Sequence, residues 1–171
     1  MSHPSRLGFF LCLLLPCPGA EPDLTLRPVA PVAVRSASGQ LQCIDFGKAW
    51  FGRLVIHPDA PNKGREVTVR LGEKLGSDGR IDLRPPGSVR TLVAQIKLDA
   101  DACTPALGAR DARRMPASIG PVLPFRYAEI DGWLGELKPG QIEMLAAVAT
   151  PFEPRGRFSS AGASAARATR T

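Results

Sequence analysis

The alternation of apolar and polar positions is clearest between Glu66 and Asp82, which reads EVTVRLGEKLGSDGRID. Val67, Val69 and Leu71 are separated by Thr68 and Arg70. Successive side chains leave opposite faces of a pleated strand, so this spacing predicts a half-buried strand. Gly72 and Gly76 break the run. Ser77-Asp78-Gly79 then supplies a turn, because Asp bonds its own backbone and Gly accepts a positive φ. Ile81 and Leu83 follow, before the Pro85-Pro86-Gly87 stop. The segment predicts a strand, a tip carrying Glu73, Asp78 and Asp82, and a second strand.

The same pattern recurs along the chain. Gln40 to Gly47 predicts a strand with Leu41, Cys43 and Asp45 on one face, and Trp50 to His57 predicts another. Lys48-Ala49 is a short connection, so the two form an antiparallel hairpin. Val89 to Leu98 alternates at Leu92, Ala94, Ile96 and Leu98. Pro124 to Trp133 predicts a strand with Phe125, Tyr127 and Glu129 facing one way and Arg126, Ala128 and Ile130 the other. Gln141 to Phe152 has a period compatible with helix or strand; Val148-Ala149-Thr150 and the preceding Lys138-Pro139-Gly140 turn favour strand. Pro58–Gly64 and Arg84–Ser88 are loops, and 99–120 is a long solvated one. Glu21 to Ser38 has no helical period and three prolines, which predicts an extended lead-in, with Val32 and Val34 able to form an edge strand.

Composition sharpens this picture. The 171 residues are 44% apolar, enough for one domain with a core. Seventeen Gly and seventeen Pro punctuate the chain often and disfavour long helices. An all-β, antiparallel, jelly-roll-like sandwich with long loops is the fold class expected. Arg6, the apolar run Leu7–Leu15 and the small residues Gly19 and Ala20 read as a secretory signal peptide over 1–20. The run is too short to span a bilayer. Secretion or periplasmic export is therefore expected, with an extended lead-in at 21–38, a sandwich domain at 39–158 and a disordered, low-complexity tail at 159–171. Cys12 and Cys17 leave with such a leader. Cys43 and Cys103 remain, either as one disulfide or as two buried thiols. The net charge of +6 is concentrated in Arg6 and the tail arginines, so the domain itself is nearly neutral and carries no phosphate-tracking stripe.

No HExxH, CxxC, GxSxG or P-loop motif occurs, and no cofactor or metal site is indicated. His57 is the one histidine beyond the leader, and no serine or cysteine motif partners it. Carboxylates are the remaining catalytic material: Glu73, Asp78 and Asp82 share one tip. Glycoside hydrolysis uses two carboxyl groups about 5–10 Å apart. Three acids on one turn meet that spacing trivially, and local turn roles explain them better. Trp50, Tyr127 and Trp133, with Glu73 and Asp78, are candidate carbohydrate contacts, since an aromatic face packs on the apolar face of a sugar. The competing use of the rings is core packing.

CIDFGKAWFGRLVI, EVTVRLGEKLGSDGRID, GSVRTLVAQIKL, PFRYAEIDGW and RFSS occur in this order. Their order and spacing resemble the front part of bacterial α-L-rhamnosidase-like glycosidases, over about Leu41 to Ser160. The resemblance implies a β-sandwich placed ahead of an (α/α) barrel, with the barrel supplying the general acid and general base of an inverting mechanism. No catalytic residue carries over to this chain. The partner implied is that barrel, with rhamnose-containing glycans as ligands; a free-standing carbohydrate-binding module is the alternative. A segment like Gly156–Ser160 leads into the barrel in the family. Here it leads into AGASAARATRT, which reads as a truncation or shifted frame. The DNA downstream of Thr171, read in three frames, decides between these.

Overall fold

The computed structural model describes residues 23–107 and 115–150. The expected leader, the tail and the cluster Arg110, Asp111, Arg113 and Arg114 lie outside the described residues. Seven strands form one antiparallel sheet: β1 Asp23–Val29, β2 Ala33–Ser38, β3 Leu41–Ile56, β4 Glu66–Gly72, β5 Thr91–Lys97, β6 Leu123–Asp131 and β7 Ile142–Thr150. The hydrogen-bonded order is β1-β7-β3-β6-β4-β5, with β2 paired to β3. A single 3₁₀ turn, Pro139–Gln141, precedes β7, and no α-helix occurs among the described residues.

The all-β antiparallel expectation holds, and the shape of the sheet follows from β3. Residues 41–45 of β3 pair with β2 on one side and with the C-terminal half of β6 on the other. Residues 52–56 pair with β7, and 50–52 with the start of β6. β3 and β6 thus pass from one layer, β2-β3-β6-β4-β5, into a second, β1-β7-β3-β6. Between Asp45 and Trp50 the register against β6 shifts. Extra residues on one strand bend it and increase its twist. Here the crossing falls at Gly47, whose φ of 80° is open to glycine and strained for other residues.

Both halves feed one core. Ile44, Phe46, Leu54 and Ile56 from β3 meet Phe125, Ala128 and Ile130 from β6, Val67, Val69 and Leu71 from β4, and Met144 and Ala146 from β7. Phe46 and Phe125 pack edge to face, with ring centroids 5.8 Å apart, a geometry favoured by the ring quadrupoles. Trp133 and Leu137 close the same cluster.

Several expectations are corrected by these strands. The hairpin at Lys48-Ala49 is a bulge within one continuous sixteen-residue strand. Core-facing positions in its first half are Gln42, Ile44 and Phe46, while Cys43 and Asp45 point the other way. β6 changes parity, burying Phe125 and then Ala128 and Ile130, because it crosses between layers. The lead-in contains two paired strands, β1 and β2. The second strand expected after the acidic tip is a lone bridge, Leu75 to Ile81. β4 pairs instead with β5 and β6.

The disulfide is not formed: Cys43 and Cys103 are both free thiols. Cys43 lies near the start of β3 and Cys103 is bridged to Ile56 at its end. A disulfide needs Cα atoms within about 7 Å, and strand rise is about 3.3 Å per residue, so the length of β3 keeps them apart.

The long loops are anchored by polar contacts. Asn62 is fully buried. Its amide donates to Asp59 Oδ1 at 2.6 Å and to the Leu134 carbonyl at 3.1 Å, and its oxygen accepts the Leu134 N–H at 2.8 Å. This ties the 58–64 loop to the segment after β6.

Candidate functional site

The acidic tip is the first place to look for chemistry. Asp78 Oδ1 accepts the Arg80 N–H at 3.0 Å, and Asp82 Oδ1 accepts the Arg84 N–H at 2.9 Å. Both carboxylates thus have the local turn role their sequence context predicts. They border an open hollow with Ser77, Ile81 and Arg84, and Glu73 is not part of it.

Ser77, Asp78 and Gly79 are exposed, but the returning Arg80 and Ile81 lie against the outer face of the sheet. A row of paired residues crosses that face: Arg35 opposite Cys43, Cys43 opposite Glu129, Glu129 opposite Arg70, and Arg70 opposite Val93. Glu129 is only 2% exposed because the tip covers it. Its two oxygens each accept a 2.8 Å bond from Arg80, and Oε1 also accepts the Ile81 N–H at 2.8 Å. Arg70 approaches to 3.8 Å. Burial alone would push this carboxyl up. The Arg80 bonds, the Ile81 N–H and the nearby Arg70 outweigh it and hold the group below its ordinary value. Ile81 fits over Gly72, where an added Cβ would meet it at 2.6 Å. The arrangement is a clamp for the tip. Burial and the neighbouring Glu129 push the Cys43 thiol up, which disfavours a reactive thiolate.

His57 is likewise structural. Its Nδ1 lies 3.1 Å from the Asp101 carbonyl and its Nε2 3.4 Å from Glu143 Oε1. No described group of three or more His, Cys, Asp or Glu side chains is arranged to hold a metal ion. No helix among the described residues is long and apolar enough to cross a membrane.

The proposed aromatic contacts separate. Trp133 is fully buried in the core. Tyr127 is half-buried, with the Arg126 guanidinium 4.8 Å from its ring centroid. That guanidinium is held by Asp45 through two 2.9 Å bonds. Trp50 borders a cleft. The cleft holds about 350 Å³ where β3 bends, and is lined by Trp50, Phe51 and Pro124 with Glu73, Ser88 and Arg90. Glu73 follows β4 and Arg90 precedes β5, and Gly72 opposite Thr91 brings their chains together. Trp50 and Glu73 are therefore joined in one site, while Asp78, Tyr127 and Trp133 are elsewhere. Sequence reasoning missed Phe51 and Arg90; Phe51 adjoins Trp50 in an alternating pattern, where a ring on the opposite face should have been considered.

The family model for the bacterial alpha-L-rhamnosidase concanavalin-like domain matches residues 35–148. Among solved structures, the chain is similar to the alpha-L-rhamnosidase from Dictyoglumus thermophilum, with 21% sequence identity and a TM-score of 0.52. That similarity covers 75% of this chain and 14% of that one, so this chain spans a small part of its length. No curated protein matches the chain. With the family model accounting for most of its sequence, the chain belongs to the bacterial alpha-L-rhamnosidase concanavalin-like domain family.

Proposed function

We propose that this chain is an accessory β-sandwich of an α-L-rhamnosidase-like glycoside hydrolase, bracing a catalytic (α/α) barrel and not hydrolysing glycosides by itself. The observation that carries the reading is the family match over residues 35–148. The distribution of carboxylates supports it. Inverting hydrolysis needs an acid and a base on either side of the scissile bond. Among the described residues the cleft is lined by one carboxylate, Glu73, while Asp78 and Asp82 serve their own turns. Exposed Val32, Leu83 and Val93 provide apolar surface for a neighbouring domain.

The test is sedimentation velocity of the chain mixed with a rhamnosidase barrel produced without its own sandwich. Co-sedimentation is expected. Two species that sediment independently at all concentrations contradict the bracing role. The second reading, a glycan-binding module, is favoured by one feature, the cleft beside Trp50 and Phe51.

A further inference from the structure

The cleft at the bend of β3 combines surfaces that core packing does not require to meet. Phe51 is 56% exposed, opposite Pro124 on β6. The neighbouring Trp50 ring packs against the core and carries Lys48 Nζ 4.0 Å from its centroid, so one indole face is already covered. The Trp50 Nε1–H is buried with no hydrogen-bond partner among the described residues. Glu73 makes no side-chain hydrogen bond or ion pair among them either. Ser88 and Arg90 complete the polar wall.

The charges of Glu73 and Arg90 oppose each other, so the lining favours neither an anion nor a cation. It offers an apolar floor and a wall of both donors and acceptors. A ligand that matches both has a C–H face and several hydroxyls. About 350 Å³ is at the small end of ligand sites and is the share of roughly a dozen liquid waters. That is about the number of non-hydrogen atoms in one hexose ring.

We infer that this cleft binds one neutral sugar ring, with Phe51 against its C–H face and Glu73, Ser88 and Arg90 bonded to its hydroxyls. The inference rests on the glycan-binding reading and is independent of the bracing role. The full chain is titrated with L-rhamnose and with D-glucose, following heat and tryptophan fluorescence. Saturable binding of at least one sugar is expected. Phe51→Ala and Glu73→Gln should each weaken it by about tenfold or more. Both side chains reach solvent, so the variants should melt with the wild type. No saturable binding of either sugar, or unchanged affinity in either variant, overturns the assignment. Sedimentation with the barrel reads the bracing role without sugar, so the two ideas fail separately.

Discussion

Arg80→Ala should lower folding stability by about 3 kcal/mol at neutral pH. The cost comes from what stays behind. Glu129 is 2% exposed, and without Arg80 it keeps the Ile81 N–H and a guanidinium 3.8 Å away. A buried carboxylate stripped of its bidentate partner is far more costly than a lost surface ion pair. Lysine at this position should recover part of the loss, since it restores charge but not the two-pronged geometry. The pH dependence gives a second readout. In the wild type the Glu129 pKa is depressed, so its stabilisation is present above the ordinary carboxylate value and fades as pH falls through the folded value. In the variant the lowering by Arg80 is lost while burial remains, so the pKa rises relative to the wild type. Its penalty is then full at neutral pH and shrinks as pH falls through the raised value. The gap between the two proteins should narrow on acidification. Urea melts at neutral pH and near pH 4 measure it. A variant within about 0.5 kcal/mol of wild type at neutral pH would show that the clamp is not structural.

Trp133→Ala should cost about 4 kcal/mol, the usual range for deleting a large buried ring. Trp133 is fully buried, and its backbone N–H donates to the Gln40 carbonyl at 3.1 Å. Gly132 before it has φ 100°, and a Cβ there would meet the Glu66 carbonyl at 3.2 Å. The turn thus fixes where the ring enters. Its indole N–H is buried with no hydrogen-bond partner among the described residues. Trp133→Phe removes that polar atom and keeps most of the apolar ring, so it should cost less than about 1.5 kcal/mol. Denaturant midpoints of the two variants give the comparison. A Trp133→Ala protein as stable as wild type would mean that the ring does not fill the core.

Strands with one buried face were legible wherever the strand stayed within a single layer. Val67, Val69 and Leu71 alternate because β4 stays within one layer, and Leu92, Ala94 and Ile96 do so for the same reason. β3 and β6 were misread because each serves two layers. Gly47-Lys48-Ala49 has the composition of a turn, and only pairing with β6 on both sides reveals a bulge. The buried Glu129 was hidden by distance along the chain, since Arg80 is 49 residues away. A carboxylate in a largely apolar strand was the available signal. At the cleft, Trp50 and Glu73 were singled out from the sequence, but their meeting depends on β4, β5 and the β3 bend together.

Hydrolysis by the chain alone is the most direct measurement of its role. The purified full chain is incubated with p-nitrophenyl α-L-rhamnopyranoside at high protein concentration, and p-nitrophenol is followed by absorbance. On the proposed bracing role, with Glu73 the one carboxylate lining the cleft among the described residues, the chain should release none above the buffer rate. Saturable turnover that disappears in Glu73→Gln would contradict it, because the sandwich would then carry the chemistry itself.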